Sequence, residues 1–212
     1  MLITEEDIEK MEKLTRVQLA TSLPGPKPIC LVGTRNEDGI TNLAPFSSIT
    51  HLGSNPPLIG MITRPDTVSR HTLQNILTTQ HWTLNHVTPA ILAQAHQCSA
   101  RYPDGISEFE ATGLTEYYHS SICAPFVEEA TIRYALKLEE VIPIPSNNTQ
   151  FIVGRVILID IPDESYSPDG SIALAKNQSL ASTALDTYFS ITEHSRLPDA
   201  KAPQQSEKPS AK

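Results

Sequence analysis

Positive charge is scarce in this chain. Its 212 residues carry 16 Lys and Arg against 24 Asp and Glu, a formal net charge of −8. Nucleic-acid binding draws on clustered Lys and Arg set against phosphates, so no nucleic-acid partner is expected. An acidic surface is also repelled by anionic membranes. No apolar run approaches the roughly 18 residues that mark a membrane-spanning helix; the longest, Val153–Ile161 and Leu58–Ile62, are of strand length. No membrane association is expected. The start, Met1-Leu2-Ile3-Thr4-Glu5-Glu6-Asp7, lacks the basic region and apolar core of a secretory leader, and the expected location is cytoplasmic. Cysteine is equally sparse. Cys30, Cys98 and Cys123 are odd in number and unpaired in spacing, which does not make a disulfide framework.

Several chemistries are missing as motifs. There is no Gly-x-Gly-x-x-Gly after a strand and no Walker-type Gly-Lys-Ser/Thr, so neither dinucleotide fingerprint is present. Cys98 and Cys123 lack Cys-x-x-Cys partners, and the seven His form no metal pattern. Ser47 and Ser48 lie outside any Gly-x-Ser-x-Gly elbow. Glu128-Glu129 reads as a solvated pair, since adjacent side chains diverge. Cys30, inside an apolar run, reads as a buried small hydrophobe. No catalytic side chain and no metal ligand is expected.

What is present is a globular composition, 39% hydrophobic and 19% charged. Residues 4–16 read as a helix. Thr4 is its cap, acidic residues sit in the first turn, Lys10, Lys13 and Arg16 sit towards the other end, and Ile8, Met11 and Leu14 form an apolar stripe. Leu23-Pro24-Gly25-Pro26-Lys27-Pro28 breaks regular structure. Strands follow at Ile29–Thr34, Ile40–Thr50 and Leu58–Thr63, the first two joined by a turn at Asp38-Gly39. A helix is expected within 66–79, a strand at Trp82–Val87 and a short helix at Pro89–Gln97. Residues 98–130 read as loops around short elements. Thr131–Ile142 and Gln150–Ile161 read as a long hairpin, and Leu180–Ile191 as either helix or extended chain. Hairpin-joined strands with few helices predict an antiparallel barrel rather than a doubly wound sheet. The expected division is a helix and linker at 1–25, one domain at 26–193 and a disordered tail at 194–212.

Three constellations carry chemistry. Asn42-Leu43-Ala44-Pro45-Phe46-Ser47-Ser48-Ile49-Thr50 puts an amide and small hydroxyls on one rim; it suits a planar, carbonyl-rich or anionic ligand, or else is an edge strand with solvated hydroxyls, where Pro45 is tolerated. Thr63-Arg64-Pro65-Asp66-Thr67-Val68-Ser69-Arg70-His71-Thr72-Leu73-Gln74-Asn75-Ile76 combines two arginines, hydroxyls and a helix start. That is either an anion site, with free N–H groups and bidentate Arg, or an exposed capped helix. Trp82-Thr83-Leu84-Asn85-His86-Val87 ends a strand in a polar pair that either faces a ligand or braces the fold.

The order of these segments resembles the flavin reductase-like, FMN-binding split-barrel family over roughly residues 26–190. Asp38–Ser47 is the most specific part, Asn55-Pro56-Pro57-Leu58-Ile59 follows at the family's distance, and Thr67–Ile76 is similar to its phosphate-side motif. Ser107-Glu108-Phe109 with Thr112-Gly113-Leu114, and Phe151–Val156, match later signatures. Ser182–Tyr188 departs from the Gly- or Arg-bearing stretch usual before the Tyr. The resemblance implies a mainly β fold, a six-stranded antiparallel split barrel with peripheral helices, and non-covalent FMN near a homodimer interface. It implies Ser47, Ser48, Arg64, Ser69, Arg70 and Thr72 on the ribityl phosphate, with Asn75 in the same motif. It sets the main chain of Asn42, Leu43, Ala44, Pro45 and Phe46, with Asn85 and His86, near the flavin ring. The implied activity is hydride transfer from NAD(P)H to FMN, with electrons passed to a small-molecule or protein acceptor. A flavoredoxin-type electron carrier and a non-enzymatic flavin-binding module are the alternatives.

Overall fold

Alternating apolar residues in the strands leave both faces of the central sheet in need of cover, and the architecture meets that need. The structure is a computed structural model and describes residues 1–65, 71–103, 105–184 and 186–200. Two short helices, α1 (Glu5–Lys10) and α2 (Lys13–Ser22), precede β1 (Lys27–Pro28), β2 (Cys30–Arg35), β3 (Thr41–Phe46), β4 (Ile49–Ser54) and β5 (Pro57–Thr63). Then come α3 (His71–Thr79), β6 (His81–His86), a 3₁₀ turn at Pro89–Ile91, α4 (Leu92–Gln97) and α5 (Glu108–Thr112). The chain ends with β7 (Glu116–Tyr117), β8 (Phe126–Val127), β9 (Arg133–Ile144), β10 (Thr149–Asp160), a 3₁₀ turn at Asp163–Ser165, β11 (Leu180–Thr183) and β12 (Thr187–Ser190).

Seven strands form one antiparallel sheet in the order β3-β2-β6-β9-β10-β5-β4. Its two edges, β3 and β4, are consecutive in the chain. One apolar cluster contains Cys30, Val32, Trp82, Leu84, Leu136, Ile152 and Met61, with Phe46 from one edge and Ile49 from the other packed against it. A single core touching both edges means that the sheet curls into a barrel. Leu73 and Ile76 of α3 enter the same cluster. Gly154 allows this packing, because a Cβ there would stand 2.3 Å from the Trp82 ring. The alternate residues Ile29, Leu31, Leu43 and Val87 face outward and are covered by Ile91, Ala95, Phe109 and Leu180. β2 is therefore buried on both faces.

The mainly β, split-barrel expectation holds, with one more strand than the six expected. The segment read as one strand, Ile40–Thr50, is two, β3 and β4, separated at Ser47-Ser48, where the chain crosses from one sheet edge to the other. The N-terminal helix expected over 4–16 is also two. Thr4 and Asp7 form the capping box of α1, but Met11 is extended at ψ 143. Arg16 reaches back to the carbonyls of Glu9 and Met11. The expected stripe is no core: Leu14 is 77% exposed. Leu180–Ile191 is extended, a hairpin whose turn contains Ala184 at φ 55. β9 and β10 form the expected hairpin. Among the described residues, no helix is long and apolar enough to cross a membrane.

Candidate functional site

The site is built around the Ser47-Ser48 crossing. In an antiparallel edge strand, alternate residues turn their N–H and C=O groups away from the partner. Leu43 is one of these in β3, since its N–H donates to Glu108 Oε2 at 2.9 Å. Pro45 is the next and has no N–H to leave unpaired. This alternation accounts for a proline in the strand: at Leu43 and Pro45 the edge offers carbonyl acceptors and no free N–H donor. Free donors follow at the crossing. Among the described residues, neither the Ser47 nor the Ser48 N–H has a backbone partner.

Ser48 pins the crossing to β5. Its hydroxyl donates to the Ile62 carbonyl at 2.8 Å, and the Ile62 N–H returns to the same oxygen at 3.2 Å. Two residues further on, Arg64 is exposed. Among the described residues, the Arg64 guanidinium and the half-buried Ser47 hydroxyl have no hydrogen-bond or ion-pair partner. Ser47, Ser48 and Arg64 thus converge as a donor-rich corner. Ser69 and Arg70 lie outside the described residues.

The other expected ligands are placed differently. Thr72 is buried, and its hydroxyl accepts a hydrogen bond from the Asn42 amide at 3.0 Å. Asn75 is buried too, and its amide donates to Thr34 Oγ1 at 3.1 Å. Asn42 lies five residues before Ser47 along β3, roughly 17 Å at the usual strand rise. The phosphate-side set therefore divides into an open corner and a buried polar knot. Asn85 has no exposed surface. Its amide donates to the Leu31 carbonyl and to Thr83 Oγ1, both at 3.0 Å, and its carbonyl accepts the Val127 N–H at 2.9 Å. It braces β6 against β2 and β8 and has no surface for a ring.

His86 shares a row with the crossing, because Phe46, Cys30 and His86 are successive register partners across β3, β2 and β6. Its Nδ1 is 3.0 Å from Ser179 Oγ, and its ring stands edge-on to Tyr134. Burial drives its pKa from 6.5 down to about 4, so the imidazole is neutral near pH 7. Burial holds the Cys30 thiol up at about 12, which removes it as a nucleophile. All three cysteines are free. Glu128 and Glu129 are both exposed, as expected, and Glu129 also accepts from the Thr115 N–H and hydroxyl.

Sequence reasoning gave no role to Glu108 and passed over Thr34. Ser107 caps α5, and this brings Glu108 to the free edge of β3, where burial raises its pKa against the Leu43 hydrogen bond. Beside it, the β2–β3 turn, α3 and residues 105–108 enclose a cleft of about 390 Å³ lined by Glu37, Asp38, His71, Gln74 and Glu108 among others. No Lys or Arg stands among its described lining residues. Its described lining carries Glu37, Asp38 and Glu108 with no counter-cation, which disfavours an anion there. Among the described residues, no group of three or more His, Cys, Asp or Glu is arranged to hold a metal.

Comparison with known proteins agrees with this architecture. The family model for the flavin reductase like domain matches residues 25–180. A protein of Shewanella frigidimarina NCIMB 400, described as a flavin reductase with a split-barrel domain, superposes with a TM-score of 0.91 at 44% identity, over 94% of this chain and 100% of that one. Nitrilotriacetate monooxygenase component B of Bacillus cereus superposes with a TM-score of 0.82 at 24% identity, over 93% and 98% of the two chains. An FMN-binding protein of Thermus thermophilus gives 0.67 at 21% identity, over 83% and 95%. These last two likenesses establish the fold alone. The family match spans most of the chain, so the chain belongs to the flavin reductase-like domain family.

Proposed function

We propose that this protein is an FMN-dependent oxidoreductase that takes a hydride from NAD(P)H and passes electrons to a small-molecule or protein acceptor. It would act in the cytoplasm as a homodimer with flavin near the interface. The observation that carries the reading is the open donor set at the crossing: the Ser47 and Ser48 N–H groups, the Ser47 hydroxyl and the unpartnered Arg64 guanidinium. On a chain of net charge −8, a phosphate needs such a local exception. The residues present suit FMN on chemistry. Arg64 supplies charge-assisted donors for a phosphate, and Ser47 and Ser48 add neutral ones. The outward carbonyls of Leu43 and Pro45 supply acceptors for a ring N–H.

A bound flavin would supply the redox chemistry, while the protein supplies orientation and exclusion of water. β3 and the crossing would hold the ring edge by main-chain groups, whose position the barrel fixes. Phe46 packs against the barrel core and anchors the end of β3 beside the crossing. His86 is neutral near pH 7 and hydrogen-bonded to Ser179, and it is given no proton-transfer role. No side-chain acid or base is assigned, because hydride transfer to a flavin needs none.

The test is a visible spectrum after FMN loading and desalting, followed by NAD(P)H oxidation. The flavin spectrum is expected to stay with the protein. Arg64→Ala is expected to lose roughly 10- to 150-fold in FMN affinity, the equivalent of one charge-assisted hydrogen bond of about 1.5–3 kcal/mol. Retained flavin with NAD(P)H oxidation no faster than free FMN would reject the hydride step and leave an electron carrier. Unchanged affinity in Arg64→Ala would reject the corner.

A further inference from the structure

α2 is a helix without a core. It has ten residues, no side-chain cap and no buried residue. Helices shorter than about 12–15 residues are marginal in water and draw their stability from packing. Two polar ties hold α2 to its own chain. Gln18 Nε2 donates to Asp186 Oδ2 at 2.9 Å, and the Lys27 ammonium donates to the Thr21 carbonyl at 2.9 Å. Neither buries apolar surface. Leu14 and Val17, neighbours on one side of the helix, stay 77% and 47% exposed. A second face lacks cover in the same way: Ile157 and Ile159 of β10 are 40% and 58% exposed. Residues 201–212, Lys-Ala-Pro-Gln-Gln-Ser-Glu-Lys-Pro-Ser-Ala-Lys, contain no large apolar side chain, so that stretch supplies apolar cover to neither face.

We propose that α2 docks on a second copy of the chain, with Leu14 and Val17 of one copy set against Ile157 and Ile159 of the partner subunit. Both uncovered faces belong to the same chain, so a two-fold axis lets each cover the other, twice per dimer. Charge agrees with this pairing. Lys13 and Arg16 stand beside Leu14 and Val17, while Asp163 and Glu164 follow the end of β10. Among the described residues, none of these four charges has an ion-pair partner. Docking brings the cations of one copy towards the anions of the other. The inference rests on the homodimer proposed above and names the surface that makes it.

Cross-linking tests the pairing. Cys30 and Cys98 are buried and Cys123 is exposed, so the full chain carries Cys123→Ser as background. Val17→Cys and Ile159→Cys are made singly and together, and each variant is treated at low protein concentration with a short bis-maleimide. The double variant is expected to run as a covalent dimer on denaturing gels, and each single variant as one chain. A cross-link within one chain would mean that α2 folds back on its own β10 and would overturn the inference. A dimer cross-linked through either single variant would put that residue at the two-fold axis and overturn it too. So would the absence of any cross-link in a protein that light scattering shows to be dimeric. Val17→Asp gives an independent reading. Val17 is exposed in the single chain, so the circular dichroism should be unchanged. The dimer Kd is expected to rise roughly tenfold or more, because an unpaired charge is then buried against isoleucines. An unchanged Kd would overturn the docking. An unsubstituted protein that is monomeric would remove the homodimer itself, and this inference with it.

Discussion

At the scale of single residues, side-chain type was legible and orientation was not. Asn42, Thr72, Asn75 and Asn85 are polar residues at strand and helix starts, as ligand-bearing residues are. Nothing in their spacing shows that the Asn42 amide turns inward to the Thr72 hydroxyl, the Asn75 amide to Thr34, and the Asn85 amide to Leu31 and Thr83. Ser48 and Arg64 stand out in the sequence because they flank a proline-rich turn and a helix start, and the fold leaves Arg64 exposed with Ser48 bonded to Ile62. His86 carries a consequence of its burial. A histidine whose folded pKa is depressed to about 4 stays neutral in the fold, whereas the unfolded chain takes up a proton below about 6.5. Its share of stability is complete above pH 6.5 and is lost as pH falls towards 4. His86→Gln, which retains a polar group for Ser179, is expected to flatten the acid limb of urea midpoints measured between pH 7.5 and 4.5. Parallel decline of both proteins would mean that His86 titrates normally.

Among the elements, periodicity located the strands well and failed where one pattern served two of them. Ile40–Thr50 shows no turn residue at Ser47-Ser48, because the chain there does not reverse. It crosses between sheet edges, and only the closed barrel reveals the break. The C-terminal hairpin was ambiguous for a related reason: Ala184 occupies a left-handed position that sequence patterns assign to Gly or Asn. α1 teaches the opposite lesson. Its cap, acidic first turn and Glu6–Lys10 pair are all present, yet it buries no residue. Local signals alone make a helix that the core does not need. Removing residues 1–12 is expected to change unfolding free energy by less than about 1 kcal/mol, as surface changes do. Urea unfolding followed by Trp82 fluorescence measures this directly. A larger loss would show α1 packed against something in solution.

For the molecule as a whole, composition foretold an acidic barrel with hairpin connections, but not what lies outside it. Ile157 and Ile159 alternate on one face of β10, with Ile159 58% exposed, beside an Arg155–Glu139 ion pair at 2.9 Å. Water against such a face is unfavourable, and a second copy would displace it. Light scattering is expected to give twice the 23.3 kDa chain mass. Ile159→Lys, which puts a charge on that face, should shift the mass to that of one chain. A monomer before any substitution would place the flavin wholly within one chain.

The crossing at Ser47-Ser48 has a further consequence, of topology. β3 and β4 are joined by covalent chain, with no ladder of hydrogen bonds between them. The tube is closed as a belt is closed by its buckle. A circular permutant with new termini at that peptide bond would keep every ladder of the sheet and leave closure to the core that Phe46 and Ile49 share. Such a cut would separate the part of closure that is covalent from the part that is packing.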